Sequence, residues 1–138
     1  VGEVAKVCVG EVAMESGLKD GGFGMSAATG EFDRDGRRDV YVGNMFSSAG
    51  SRVTRQPRFR LGDPGGVVEE FLLMARGYRW YVGGGGRGRP LFRDASVESG
   101  TTMGRWAWGS MPADVDHDGW EDLVVANGYV TGRQPDDL

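Results

Sequence analysis

The chain is built of short apolar runs separated by polar, glycine-containing turns, and long amphipathic stretches are almost absent. These runs are rich in β-branched, aromatic and small apolar residues, and they have the length of ordinary strands. Runs of this composition between turn residues predict β-strands. Six of them lie at 5–13, 23–29, 39–43, 91–97, 105–113 and 122–126. The pattern therefore predicts a mainly β protein.

An internal repeat orders these runs. A shift of 83 residues aligns 9–44 with 92–127 without a gap, and ten of the 36 aligned positions are identical. Each copy reads strand, turn, strand, acidic loop, strand, and a repeat of this kind decides the architecture. We therefore predict two equivalent units at 1–44 and 91–138, separated by an insertion at 45–90 that does not repeat.

The insertion has a different pattern. Residues 44–52 are loop-like, and Pro57 and Pro64 interrupt any long regular element. Asp63 is a plausible helix N-terminal residue, and the run that ends before Gly77 has apolar residues at helical spacing: Val67, Val68, Phe71, Leu72 and Ala75. One short amphipathic helix is expected here. It is followed by a strand at 78–82 and by a flexible glycine-rich hairpin connection at 83–90.

Two acidic loops carry the most specific pattern in the chain. Loop 1 (31–39) and loop 2 (114–122) each place acids at positions 1, 3, 5 and 9 and glycine at position 6. Alternate residues of such a turn can direct their oxygens to one centre, which suits a hard cation with six to eight oxygen ligands. Position 12, where an EF-hand has a bidentate glutamate, is Val42 after loop 1 and Val125 after loop 2. Neither loop therefore ends as an EF-hand does.

Oxygen ligands and flexible coordination favour Ca²⁺ over Mg²⁺, zinc or copper. The alternative interpretation is a pair of solvated acidic turns. Two Ca²⁺ sites are predicted, with the position-7 residue of each loop contributing its backbone carbonyl. The ligands would be Glu31, Asp33, Asp35, Arg37 and Asp39 in loop 1, and Asp114, Asp116, Asp118, Trp120 and Asp122 in loop 2.

Composition and charge exclude several classes of function. The net charge is −4, and nine of the twenty acidic residues lie in the two loops, so the acidity is better interpreted as ligand supply than as a long-range field. The sequence lacks a basic patch with interleaved aromatic residues, which is the pattern that would indicate nucleic-acid binding. No apolar run is long enough to span a membrane. Cys8 is the single cysteine and is expected to be a small buried hydrophobe.

The remaining signals do not indicate an enzyme. The glycine-rich 83–88 segment lacks the ending of a phosphate-binding loop. His117 is the only histidine, and no serine or cysteine nucleophile with an orienting acid can be proposed beside it. Trp106 and Trp108 fall on one face of a predicted strand, where core packing is favoured over a sugar-binding platform.

The combination of motifs resembles the FG-GAP/VCBS repeat proteins of the cartilage acidic protein and ASPIC/UnbV type, which share an integrin-α-like β-propeller fold. The matching residues are 22–26, 31–50, 92–96, 103–109 and 114–128. The resemblance implies a propeller segment, calcium in the blade loops, an extracellular or periplasmic setting, and adhesion or ligand binding. Glu31 departs from the family's usual first aspartate.

Because propellers close with about four to eight blades, two loop-bearing units are expected to form roughly two blades with one short inserted helix. We expect the segment to belong to a longer chain that supplies further blades. The leading function is a calcium-stabilised module that binds a protein or carbohydrate ligand. Two alternatives stay open: a fragment of a calcium-dependent polysaccharide hydrolase or lyase, and a purely structural spacer.

Overall fold

A computed structural model describes residues 10–46, 48–59, 62, 65–85, 91–102 and 105–127. It contains six strands and two helices in these ranges: β1 Gly24–Gly30, β2 Asp39–Asn44, α1 Ser48–Thr54, α2 Gly65–Ala75, β3 Arg79–Gly84, β4 Leu91–Asp94, β5 Ala107–Ala113 and β6 Asp122–Asn127. The predicted mainly β class is confirmed. Within the described ranges, no helix is long and apolar enough to cross a membrane.

The larger sheet is a four-stranded antiparallel meander. Its strands lie side by side in chain order, β1-β2-β3-β4. Tyr41 on β2 is the register partner of Ala28 on β1 and of Trp80 on β3. A four-stranded sheet is the unit from which a β-propeller blade is made. The sheet thus agrees with a propeller segment.

The smaller sheet pairs β5 with β6 and lies against the first sheet. An isolated antiparallel bridge joins Met45 to Trp106, and the N–H of Phe46 donates to the carbonyl of Arg105 at 3.2 Å. The hydroxyl groups of Ser26 on β1 and Ser110 on β5 are hydrogen-bonded at 2.6 Å. These contacts join the two sheets, between β1 and β5 and between the residues that follow β2 and those that precede β5.

The sequence repeat is also a repeat in the structure. The bounds of β1 and β2 become those of β5 and β6 when 83 residues are added. Both copies have a register shift at the same place, between Gly24 and Ser26 and between Ala107 and Gly109. An extra residue in one strand bends it and disrupts its alternation. The local irregularities are therefore properties of the repeated unit.

The sheets do not follow the three sequence segments. β3 comes from the 45–90 segment, and β4 comes from the start of the 91–138 segment, yet both belong to the sheet that β1 and β2 begin. The reason is the antiparallel pairing of β3 with β4, in which Tyr81 is opposite Asp94 and Gly84 is opposite Leu91. The first sheet is consequently complete with four strands, whereas the second contains two among the described residues.

Three secondary-structure predictions need correction. Residues 48–52 of the predicted loop belong to helix α1, because α1 packs on α2 and Ser51 Oγ donates to the carbonyl of Ala75 at 2.8 Å. The strand predicted at 91–97 ends at Asp94, because a turn begins at Ser96, whose N–H donates to the Asp94 carboxylate at 3.0 Å. Residues 10–12 of the strand predicted at 5–13 are irregular, and 5–9 lie outside the described residues, as does Cys8.

The other elements are confirmed within a few residues at each end. The helix predicted over 67–75 is α2, while Asp63, its predicted N-terminal residue, lies outside the described residues. The predicted strand at 78–82 is β3. Of the predicted hairpin connection at 83–90, the first two residues belong to β3 and residues 86–90 lie outside the described part.

Aromatic residues form the centre of the core. Tyr41, Tyr78 and Ala107 are buried together, and Trp80 packs against them from β3. The core prediction for Trp108 is wrong, because this side chain is 54% exposed. Trp108 lies in the β5 bulge, and its N–H donates to the carbonyl of Trp106 instead of to the sheet. The bulge breaks the strand alternation on which that prediction depended.

Candidate metal centre

Each acidic loop closes a hairpin within the repeated unit. Loop 1 joins β1 to β2, and loop 2 joins β5 to β6. Position 4 has a left-handed backbone in both loops, with φ of 56° at Arg34 and 61° at His117. Position 6 does too, with φ of 83° at Gly36 and 85° at Gly119. Glycine adopts this conformation without steric cost, which explains its place in both loops.

The position-9 aspartate returns to the start of its own loop. Asp39 Oδ2 accepts a hydrogen bond from the N–H of Phe32 at 3.2 Å. Asp122 Oδ2 accepts one from the N–H of Val115 at 3.0 Å. These equivalent bonds draw the last acid of each loop towards the first residues of that loop. They close the loop across the hairpin.

The position-1 acid accepts a hydrogen bond from the glycine at position 6. The N–H of Gly36 donates to Glu31 Oε1 at 2.8 Å, and the N–H of Gly119 donates to Asp114 Oδ2 at 3.0 Å. The substitution of glutamate for aspartate in loop 1 therefore preserves this contact. Asp114 also accepts from the N–H of Asp118 through its second oxygen, at 3.1 Å.

The acids at positions 3 and 5 accept hydrogen bonds from the backbone two residues further on. Such bonds are the usual local contacts of aspartate in turns. The distances are nearly the same in the two copies. In loop 1 they are 3.2 Å for Asp35 N to Asp33 Oδ1 and 2.8 Å for Arg37 N to Asp35 Oδ1, and in loop 2 they are 3.2 Å for Asp118 N to Asp116 Oδ1 and 2.8 Å for Trp120 N to Asp118 Oδ1.

Loop 2 brings three of its predicted ligands together. One carboxylate oxygen from each of Asp114, Asp116 and Asp122 lies within 4.8 Å of the other two. Oxygens bound to one Ca²⁺ at 2.3–2.6 Å can be at most about 4.6–5.2 Å apart. The three aspartates therefore fit a single ion of this size. Asp118, the predicted position-5 ligand, is outside this group and accepts the Trp120 N–H.

Loop 1 has the same backbone but a different arrangement of carboxylates. Its four acids form no group of three at that spacing, and all of them belong to the described residues. Asp35 forms an ion pair with Arg37 at 3.0 Å. Asp39 is fully buried, and its Oδ1 accepts the N–H of Gly83 on β3 at 2.8 Å. Burial raises the pKa of Asp39, although the hydrogen bonds from Gly83 and Phe32 oppose this.

The two loops touch each other, which sequence spacing did not predict. Arg34 of loop 1 donates through Nη2 to the carbonyl of Gly119, and its guanidinium lies 4.4 Å from the ring centre of Trp120. In the other direction, Glu121 Oε2 accepts the N–H of Glu31 at 2.6 Å. The sequence contained one signal for this contact, because a basic residue at position 4 of an acidic loop has no ligand role.

Comparison with known proteins gives one match. The family model of the FG-GAP repeat matches residues 23–55, which include β1, loop 1, β2 and α1. No curated protein and no solved structure matches the chain. The match supports a propeller-type repeat module and includes the first acidic loop, and loop 2 is equivalent to that loop by the internal repeat.

Proposed function

We propose that this chain is a calcium-binding β-propeller repeat module of the ASPIC/UnbV type, in which the ions stabilise the blade hairpins. The observation that carries the proposal is the convergence of Asp114, Asp116 and Asp122 at a spacing that suits one Ca²⁺. A bound ion would join the two ends of loop 2, because Asp114 directly follows β5 and Asp122 begins β6. It would also neutralise acids that otherwise repel each other.

In loop 1 the same ligand set would act from Glu31, Asp33, Asp35 and Asp39, with the carbonyl of Arg37. Asp39 already joins this loop to β3 through Gly83. Each carboxylate oxygen has two lone pairs, so accepting an N–H leaves capacity for a cation. Loop 1 would have to rearrange more than loop 2 to bind, and we expect it to bind more weakly.

The module would serve adhesion or ligand interaction outside the cell or in the periplasm. Sites in extracellular modules bind Ca²⁺ with dissociation constants of roughly 10⁻⁴–10⁻³ M, which suits exposed loops such as loop 2. The partners would be a protein or carbohydrate ligand and further propeller blades. In the described residues β2 pairs with both β1 and β3, whereas the equivalent strand β6 pairs only with β5.

Calorimetric titration with Ca²⁺ tests the metal sites. Two binding events are expected, of which Asp116→Asn removes the stronger and Asp33→Asn the weaker. Glu98→Gln is the matched control, because Glu98 is an exposed acid on the turn after β4 and far from both loops in sequence. Ca²⁺ at ten times its dissociation constant should stabilise the folded state by about 1.4 kcal/mol per site. Identical melting in Ca²⁺ and in chelator would refute the proposal.

A further inference from the structure

The contact between Arg34 and loop 2 has a consequence for the neighbouring metal site. Arg34 holds two consecutive residues of loop 2, Gly119 through its carbonyl and Trp120 through its ring. Trp120 occupies position 7, whose backbone carbonyl is a predicted Ca²⁺ ligand. A side chain that fixes both Gly119 and Trp120 restricts the peptide group that precedes this carbonyl. Arg34 therefore acts on loop 2 from outside it.

The backbone of loop 1 places Arg34 in this position. Its φ of 56° is in the left-handed region, which non-glycine residues seldom adopt. His117 has the equivalent conformation in loop 2, so the left-handed residue belongs to the repeated loop and is not an accident of one copy. Among the described residues, the loop that Arg34 contacts is loop 2. The position-4 side chain is thus available for contacts beyond its own loop.

A second contact joins the loops at their other ends. The N–H of Glu31, the first residue of loop 1, donates to Glu121 of loop 2 at 2.6 Å. Glu121 directly precedes Asp122, one of the three converging aspartates. Loop 1 therefore contacts loop 2 both before and after the Trp120 carbonyl along the chain. Arg34 makes the contacts at Gly119 and Trp120, and Glu31 makes the contact at Glu121. A change in loop 1 can reach loop 2 through either contact.

We propose that Arg34 is a positioning residue for the Ca²⁺ site of loop 2, and that it couples this site to loop 1. The inference rests on the proposed function, because it concerns the affinity of the same metal site. The guanidinium has two opposing effects on a bound cation. It repels the ion by its charge, but in exposed loops this repulsion is weakened by water and salt. Its hydrogen bond and stacking order the loop before binding, and this ordering is the larger effect.

Three variants separate ordering from charge. Arg34→Asn tolerates the left-handed backbone but is too short to reach Gly119. Arg34→Gln removes the charge and keeps a neutral donor, whereas Arg34→Lys keeps the charge and a donor. Arg38→Asn is the control, because Arg38 is an exposed residue of the same loop and its loss changes the net charge equally. Far-UV circular dichroism should show the same fold for all four.

Nuclear magnetic resonance titration with Ca²⁺ reads each loop separately through the amides of Gly36 and Gly119. Arg34→Asn should weaken the affinity seen at Gly119 by about five- to tenfold, the effect of one charge-assisted hydrogen bond. Gln and Lys should recover part of it, and Arg38→Asn should change it less than twofold.

Unchanged affinity at Gly119 in Arg34→Asn would overturn the inference while leaving the metal site intact. Equal weakening at Gly36 and Gly119 would also overturn it, because the effect would then be a general loss of loop structure. Tighter binding in both neutral variants would show that charge outweighs ordering and would overturn it as well. An unmodified protein that shows no Ca²⁺-dependent shift at either glycine would instead refute the proposed function.

Discussion

The backbone N–H of Gly83 donates to Oδ1 of Asp39 at 2.8 Å and so ties the third strand of the large sheet to the end of loop 1. The second oxygen of Asp39 accepts the N–H of Phe32, so a single buried carboxylate joins loop 1, β2 and β3. Asp122 has the equivalent bond to Val115, yet it is exposed. Two residues that are identical in the repeat therefore differ in their structural environment.

This difference predicts unequal stability effects in the absence of metal. Asp39→Asn can accept through only one side-chain oxygen, so one of the two backbone N–H groups loses its partner at a buried site. We therefore expect the free energy of unfolding to fall by about 2 kcal/mol. Asp122→Asn should cost less than about 0.5 kcal/mol, as exposed substitutions usually do. Urea unfolding in chelator measures both. Equal losses in the two variants would contradict the structural role of Asp39.

Much of this organisation was predictable from the sequence because it is periodic. The 83-residue offset predicted that β5 and β6 are equivalent to β1 and β2. The spacing of acids in the loop predicted Asp114, Asp116 and Asp122 as ligands of one ion. Local pattern could not place β4, because which strand it joins depends on its pairing with β3. It also missed α1, whose glycine- and serine-rich sequence favours a loop in isolation and is helical because it packs on α2.

The arrangement of the candidate metal ligands was only partly predictable. Ligand spacing is a property of one loop, and it identified the acids of both loops equally well. The different arrangement of loop 1 arises from contacts outside the loop, such as the bond from Gly83 to Asp39. The contact of Arg34 with Trp120 likewise joins residues far apart in sequence. Neither contact is contained in the spacing of the motif.

A buried arginine provides a second prediction. Arg79 on β3 is 2% exposed, and its Nη1 donates to Asp94 on β4 at 2.8 Å, while Nε lies 3.8 Å from Asp20. Arg79→Met fills the site but leaves both carboxylates without this cation. We expect this substitution to lower the free energy of unfolding by about 2–3 kcal/mol at pH 7. This loss is smaller than that for breaking a fully buried ion pair, because Asp94 is a third exposed. Arg93→Met, at an exposed pair with Glu98, is the control and should change stability little.

The pH dependence of this variant follows from Asp94. Burial alone would raise the pKa of Asp94, but hydrogen bonds from Ser96 and the charge of Arg79 together lower it below its usual value. A lowered pKa contributes stability above the unfolded value of about 4, and this contribution is lost as the pH falls through the folded value. The stability difference between Arg79→Met and the unmodified protein should therefore shrink between pH 5 and about pH 3, measured by urea unfolding. A difference independent of pH would contradict it.

Two core tyrosines provide a matched pair for a third prediction. The rings of Tyr41 and Tyr78 pack edge to face with centroids 5.8 Å apart. Tyr78 donates to Asn127 Oδ1 at 2.9 Å, whereas the hydroxyl of Tyr41 is buried without a hydrogen-bond partner among the described residues. Tyr78→Phe should cost about 1 kcal/mol, and Tyr41→Phe should be neutral or slightly stabilising. Thermal unfolding of both variants checks this order, and a larger loss for Tyr41→Phe would be inconsistent with it.

Alkaline pH tests the environment of Tyr81. Its hydroxyl donates to the carbonyl of Lys19 at 2.8 Å, and burial together with the nearby Asp20 raises its pKa to about 12. The unfolded tyrosine titrates near pH 10, so its stabilising contribution is complete below that value and is lost as the pH rises towards 12. Tyr81→Phe should be less stable by about 1 kcal/mol at pH 8, because the hydrogen bond is lost. Above pH 10 its stability should fall less steeply than that of the unmodified protein, by up to about 1.4 kcal/mol per pH unit. Urea unfolding from pH 8 to 11.5 gives both slopes, and parallel slopes would show that Tyr81 ionises as freely in the folded protein as in the unfolded chain.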